Sequence, residues 1–248
     1  MGRVAVVTGG ARGIGRATAE ILAARGHDVC IADLLGDSAA RAATEITEST
    51  GRKAIGVQCD VSNAGEVSEA FSRARRELGP VLVLVNCAAI TTNVATVRNM
   101  SLASWERELA VNLTGTFLCI KEALEDMVAA KWGRIVNVSS GAAELGGYGQ
   151  CSYVASKAGV IALTKTVCLE HARDNITCNV VLPGLIDTAA AASIREDIRE
   201  RIIRRIPVRR MGRPEEVAAV IAFLCSEEAS YVNGAAIWVS AGQELFTF

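Results

Sequence analysis

The sequence predicts one α/β domain built on a doubly wound parallel sheet of about seven strands with helices on both faces. Three observations predict it. Continuous apolar runs such as Val81-Leu82-Val83-Leu84-Val85 are the mark of strands covered on both faces. Such runs alternate along the chain with segments of helical periodicity, which implies parallel pairing through right-handed crossovers. And the chain opens with a strand, a glycine-rich turn and a helix, the setting in which a backbone loop holds phosphate.

The 248 residues are 50% hydrophobic and 21% charged, with a formal net charge of −1. That is enough to build one large core, and it gives no basic surface for nucleic acid or an anionic membrane. Eight cysteines (30, 59, 87, 119, 151, 168, 178 and 225) lie scattered, with no C-x-x-C pair and no nearby His. They read as free thiols packed as small hydrophobes in a reducing, cytoplasmic setting, with no metal. The first strand begins almost at Met1, leaving no room for a signal peptide. No apolar run approaches the ~20 residues that span a bilayer.

In order, residues 3–8 form the first strand and end in Gly9-Gly10-Ala11-Arg12-Gly13-Ile14-Gly15; a helical pattern then runs to Gly26. Glycines let the backbone approach a pyrophosphate, and the helix N-terminus offers free N–H groups. The strand 28–32 delivers Asp33, 20 residues after Gly13, where an acid accepts hydrogen bonds from a ribose 2′-hydroxyl and favours NAD over NADP. As a turn residue or helix cap Asp33 would be unremarkable in itself, and Arg12 could instead reach a 2′-phosphate. Helices are expected at 37–50, 63–78, 102–130, 152–173 and from Pro214 to Cys225, with strands at 53–59, 81–85, 134–139, 176–182 and 235–239. Asp60 and Asn86 close strands, where open α/β sheets bind ligands. Asn112 falls inside the 102–130 pattern, where an Asn ordinarily faces solvent or bends the helix. Residues 185–210 are mixed and read as a lid over the site, or equally as a solvated helix face. Nothing divides the chain, so 1–248 is expected to be one domain that both binds a dinucleotide and carries catalysis.

Ser140 follows the strand at 134–139, Tyr153 comes thirteen residues later, and Lys157 four after that. On a helix Tyr153 and Lys157 share a face. A phenol titrates near pH 10, and a neighbouring cation favours phenolate, so the trio suits proton transfer to or from an alcohol. A plain amphipathic helix starting with Tyr and Lys would have the same spacing.

Together these pieces resemble the short-chain dehydrogenase/reductase family over essentially the whole chain. Thr8-Gly9-Gly10-Ala11-Arg12-Gly13-Ile14-Gly15 matches its T-G-x-x-x-G-I-G cofactor motif, Asp60-Val61 its adenine contact, and Asn86-Cys87-Ala88-Ala89 its N-N-A-G. Asn112, Ser140, Tyr153 and Lys157 match its catalytic tetrad, and Pro183-Gly184-Leu185-Ile186-Asp187-Thr188 its segment at the nicotinamide carboxamide. Arg210–Ala218 and Asn233-Gly234 match its tail. The resemblance implies a Rossmann-like fold and a hydride transfer between a nicotinamide cofactor and a secondary alcohol or ketone. Tyr153 would be the general acid/base, helped by Lys157 and the oxidised ring, and Ser140 would bind the substrate oxygen. Lys157 would also hold the nicotinamide ribose, and Asn112 a proton-relaying water. It also implies a homotetramer or homodimer, formed through the helices at 102–130 and 152–173 and extended by the tail Leu245–Phe248.

Cys87 and Ala89 depart from N-N-A-G, and Ser240-Ala241-Gly242 departs from D-G-G. The substrate pocket is expected at Glu144, Leu145, Gln150 and Leu185. NAD-linked alcohol/ketone interconversion leads. The rival enzyme is an NADPH-dependent 3-oxoacyl-thioester reductase docking an acyl-carrier protein, for which Lys131, Arg134 and Arg173 are the available cations. A non-catalytic NAD(P)-binding sensor or scaffold has no use for Ser140 and Tyr153 together.

Overall fold

The computed structural model describes residues 2–90 and 94–245. Seven parallel strands form one sheet: β1 (Val4–Thr8), β2 (Asp28–Asp33), β3 (Ala54–Gln58), β4 (Val81–Asn86), β5 (Gly133–Val138), β6 (Ile176–Pro183) and β7 (Ala236–Val239). Their order is β3-β2-β1-β4-β5-β6-β7. Chain order reverses between β1 and β4, so the crevice beyond their carboxyl ends is where this architecture binds ligands. The alternation read from the apolar runs is therefore the alternation of the fold.

The helices are α1 (Gly13–Ala24), α2 (Gly36–Thr50), α3 (Ala64–Glu77), α4 (Leu102–Leu109), α5 (Gly115–Ala130), α6 (Ala142–Leu145), α7 (Cys151–His171), α8 (Ala189–Ala192), α9 (Glu196–Ile203) and α10 (Pro214–Leu224). Leu22 of α1, Ile46 of α2 and Ile221 of α10 pack with Val7, Val85 and Val136 on one side of the sheet. Phe71 of α3, Ile120 and Met127 of α5 and Val167 of α7 pack with Val6, Leu84 and Ile135 on the other. Each such buried Leu, Ile or Phe contributes about 1.5–3 kcal/mol relative to exposure.

The helix expected over 102–130 is interrupted. Residues Ala110–Thr114 form a π-turn, with the Gly115 N–H bonded to the Ala110 carbonyl. The expected lid resolves into α8 and α9, and its base is pinned by the Asp187 and Gly212 backbones (Asp187 N–H to Gly212 O, 2.8 Å). Of the tail, only Leu245 lies within the described residues. Among the described residues no helix is long and apolar enough to cross a membrane.

Candidate active site

The loop after β1 is shaped by close backbone approach. A Cβ on Gly9 (φ +60°) would lie 2.8 Å from the Ala88 Cα, and one on Gly15 would lie 2.2 Å from the Gly9 carbonyl oxygen. Only glycine fits either place. Thr8 caps the neighbouring loop: its hydroxyl accepts the N–H groups of Cys87 and Ala88, both at 3.2 Å. The α1 N-terminus beyond Arg12 has no capping side chain and no acid in its first turn, so its N–H groups and positive dipole end are left for an anion. A cradle that a Cβ would fill, opening onto an uncapped helix, fits the pyrophosphate of a dinucleotide.

Asp33 is the last residue of β2 and is buried. Its Oδ2 accepts the Ala11 N–H and its Oδ1 the Leu35 N–H, each at 3.0 Å. It is thus both a turn residue and a brace for the glycine loop, and its charge stands at the crevice. Arg12 is exposed at the N-terminus of α1. Asp60 accepts from the Ser62 hydroxyl (2.6 Å) and from Arg107 of α4 (3.2 Å). Burial pushes the Asp60 carboxyl up, but these hydrogen bonds prevail and hold it below the usual range. Val61 is buried beside it. Asn86 donates to the Asn137 Oδ1 at 2.9 Å, and Asn137 donates in turn to Thr164 at 2.9 Å, a buried polar chain crossing the sheet into α7.

Pro183, Gly184, Leu185, Ile186 and Thr188 continue from β6 over the glycine loop. The Pro183 carbonyl accepts the Gly141 N–H at 3.1 Å, tying this segment to Ser140's turn. Thr188 caps α8, and its methyl carbon lies 3.3 Å from where a Gly13 Cβ would be. The motif residues of three separate turns therefore meet at one rim.

The tetrad converges at the carboxyl end of β5. The Ser140 hydroxyl lies close enough to the Tyr153 phenol to act on its titration. Lys157 is buried, donates to the Val138 carbonyl at 2.7 Å, and its Nζ lies 6.0 Å from the Tyr153 ring centre. Ser139 anchors α7 through the Lys157 carbonyl (2.8 Å). Burial pulls the Lys157 ammonium down to about 8, with Cys87 opposing slightly. The phenol does not follow the expectation that Lys157 lowers it. Burial raises Tyr153, the Ser140 hydroxyl opposes this, and the charge of Glu108 adds to the rise. With its ammonium brought down to about 8, Lys157 is neutral over the alkaline range in which a phenol titrates, and supplies no positive field to the phenolate there.

Asn112 corrects the solvent-facing expectation. It is fully buried in the π-turn, accepts the Ile90 N–H (2.9 Å), and donates to the Ile90 carbonyl and the Ser156 hydroxyl (both 3.1 Å). Ser156 in turn donates to the Tyr153 carbonyl at 2.7 Å. Its side chain thus fixes the loop after β4 and the first turn of α7. π-turns of this kind recur at functional sites.

Around this centre, Glu144 and Leu145 sit exposed on α6, Gln150 precedes α7, and Leu185 is half-buried. Leu185 lines a cavity of about 180 Å³ with Ile206, Val208 and Val239, and neither Ser140 nor Tyr153 borders it. Of the cations considered for carrier-protein docking, Arg134 is fully buried, held by the Ser226 carbonyl (3.2 Å) and stacked on Trp132. Lys131 is paired with Asp174 at 2.5 Å, leaving Arg173 as the exposed cation of the three without a partner among the described residues. The Ser156 hydroxyl, the Asn137 amide and the pair Glu108–Ser152 were not singled out from sequence, and Thr8 only as part of the glycine-loop motif. Polar residues inside apolar runs announce burial only weakly.

A nicotinamide-dependent oxidoreductase is the class that this fold and site define. Residues 9–244 match the family described as Enoyl-(Acyl carrier protein) reductase. The chain is 44% identical over 241 residues to the 3-oxoacyl-[acyl-carrier-protein] reductase FabG of Aquifex aeolicus, covering 97% of each. It is 43% identical to the cis-4-hydroxycyclohexanecarboxylate dehydrogenase of Sinomonas cyclohexanicum, covering 97% of this chain and 96% of that one. The crystal structure of levodione reductase superposes with a TM-score of 0.94 at 29% identity, covering 98% of both chains. The chain belongs to the short-chain dehydrogenase/reductase family, whose members act on CH–OH or ketone groups.

Proposed function

We propose that the chain interconverts a small secondary alcohol and its ketone with NAD(H) in preference to NADP(H), Tyr153 acting as general acid/base. The observation that carries this reading is the convergence of Ser140 and Tyr153 with buried Lys157 at the carboxyl end of β5, where the Lys157 Nζ donates to the Val138 carbonyl and lies 6.0 Å from the Tyr153 ring centre. Asp33 supports NAD: a carboxylate braced at the end of β2 accepts ribose hydroxyls and repels a 2′-phosphate.

In reduction the Tyr153 phenol gives its proton to the carbonyl oxygen, and in oxidation the phenolate takes it from the alcohol. Ser140 donates to the same oxygen and stabilises charge developing there. Lys157 spends one N–H on Val138 and keeps two for a ribose hydroxyl. The Asn112 carbonyl accepts the Thr116 hydroxyl at 2.9 Å and keeps a lone pair for a water that carries the proton outward. When bound, a nicotinamide would supply or accept the hydride, and its oxidised form would add positive charge that favours the Tyr153 phenolate. Gly9, Arg12, Gly13, Ile14 and Gly15 would hold the pyrophosphate. Asp60 and Val61 would flank the adenine, and Asn86, Ala88, Pro183, Gly184, Ile186 and Thr188 the nicotinamide. Glu144, Leu145, Gln150 and Leu185 would border the substrate. Exposed Phe117 on α5 and Leu169 on α7 support packing between copies of the chain.

The second reading, a 3-oxoacyl-thioester reductase, is favoured by the 44% identity to a reductase of that name. Burial of Arg134 and pairing of Lys131 count against a carrier-protein docking patch there. Fluorescence titration separates the cofactors. The wild type should bind NADH more tightly than NADPH, and Asp33→Ala, which also removes the two bonds that brace the glycine loop, should weaken NADH about tenfold more than NADPH, the loss of one charge-assisted hydrogen bond. Tighter binding of NADPH by the wild type would reverse the cofactor assignment and bring the second reading forward.

A further inference from the structure

Glu108 is a carboxylate with no exposed surface, on the inner face of α4. Its Oε2 accepts the Ser152 hydroxyl at 2.5 Å. Ser152 is also fully buried and immediately precedes Tyr153, and the Met100 sulfur closes over its hydroxyl at 3.9 Å. A glutamate in the interior of an amphipathic helix is costly unless it is hydrogen-bonded. Here it sits against the first turn of α7, where a helix N-terminus favours negative charge. It also reaches Tyr153 through space, its charge opposing formation of the phenolate.

We propose that Glu108 is a positioning residue for Tyr153: its carboxylate, clamped by Ser152, fixes the first turn of α7 against α4 and holds a negative charge beside the phenol. Asn112 holds the same turn from its other side through Ser156, so the tyrosine is gripped by two polar clamps from one interrupted helix. Of the charged groups nearby, Arg107 turns away to Asp60 and Ser62, and Glu106 is exposed. Lys157 points to the Val138 carbonyl. The group from α7 that responds to Glu108 is Tyr153 itself. The consequence is directional: burial raises the Tyr153 phenol most and the Glu108 charge adds to that rise, which suits a proton donor to a ketone and disfavours the phenolate that alcohol oxidation needs.

The inference rests on Tyr153 being the acid/base, so loss of turnover in Tyr153→Phe is established first and separately. Glu108→Gln keeps size and a hydrogen-bond acceptor for Ser152 but removes the charge. The pH profile of kcat for alcohol oxidation with NAD should move down by about one unit, an approximately tenfold faster rate on its acid side. KM for NAD should be unchanged. Ser152→Ala deletes only the hydroxyl and serves if Glu108→Gln does not fold; it should lower kcat about fivefold through a misplaced Tyr153, again at constant KM for NAD. A profile unmoved in Glu108→Gln, or an unchanged kcat in Ser152→Ala, would overturn the proposal.

Discussion

Lys157 carries a cost that its position makes measurable. Desolvation takes its ammonium from 10.5 to about 8, a gap worth about 3 kcal/mol. A lysine whose folded value is depressed binds fewer protons folded than unfolded between those two values, so stability rises with pH across that window. Below pH 8 both states are charged and the whole penalty is present; above 10.5 it is gone. Lys157→Met keeps the length and removes the charge, at the expense of the bond to the Val138 carbonyl, about 1 kcal/mol. The variant should therefore be about 2 kcal/mol more stable than the wild type at pH 6.5, or about 4–8 °C higher in Tm for a chain of this size. The advantage should shrink as pH climbs from 8 and reverse near 10.5, while turnover falls at least about a hundredfold. Thermal and urea unfolding of the cofactor-free protein at pH 6.5, 8 and 10 would check this. A variant less stable at pH 6.5, or a difference independent of pH, would refute the claim that Lys157 is held against its solvation preference for function.

Gly9→Ala places a methyl 2.8 Å from the Ala88 Cα at a positive φ; it should cost about 1–3 kcal/mol and weaken dinucleotide binding, read by unfolding and by titration. Cys30, Cys59, Cys87, Cys178 and Cys225 are each pushed up to about 12 by burial, and Cys119 is raised by the same cause. Titration of the native protein with a thiol reagent at pH 8 should therefore modify the half-buried Cys151 and Cys168 first, with the five buried thiols Cys30, Cys59, Cys119, Cys178 and Cys225 following only on unfolding.

The sheet was legible because buried parallel strands advertise themselves: runs such as Val81–Val85, alternating with helical segments, mark strands covered on both faces. The glycine loop, Asp33 and the shared helix face of Tyr153 and Lys157 were legible from local spacing, whereas the grouping of Asn112 with Ser140, Tyr153 and Lys157 came only from the family resemblance. What escaped was set by tertiary partners. The π-turn at Ala110–Thr114 leaves no compositional trace, since the shift of helical phase made by one extra residue is lost among the mixed apolar positions of 102–130. Glu108 and Ser152 are 44 residues apart, and an acid in an otherwise mixed helix reads as solvated until the neighbouring helix covers it. Arg134 read as a surface cation because sequence shows a charge but not the Trp132 ring and Ser226 carbonyl that bury it. The direction of Tyr153's shift was missed for a related reason. Proximity to a cation was visible in the four-residue spacing, whereas the desolvation that outweighs it depends on the whole packed site.

The central claim is that Tyr153, poised by Ser140 and Lys157, moves a proton while an NAD(H) nicotinamide moves a hydride. Its most direct test is turnover of a panel of secondary alcohols and their ketones with NAD(H) and NADP(H) in parallel, wild type against Tyr153→Phe. The account predicts NAD(H)-linked turnover of at least one pair, faster than with NADP(H), and lost by about a hundredfold or more in Tyr153→Phe. Turnover that survives in Tyr153→Phe would contradict the mechanism, and cofactor binding with no turnover of any pair would contradict the activity itself.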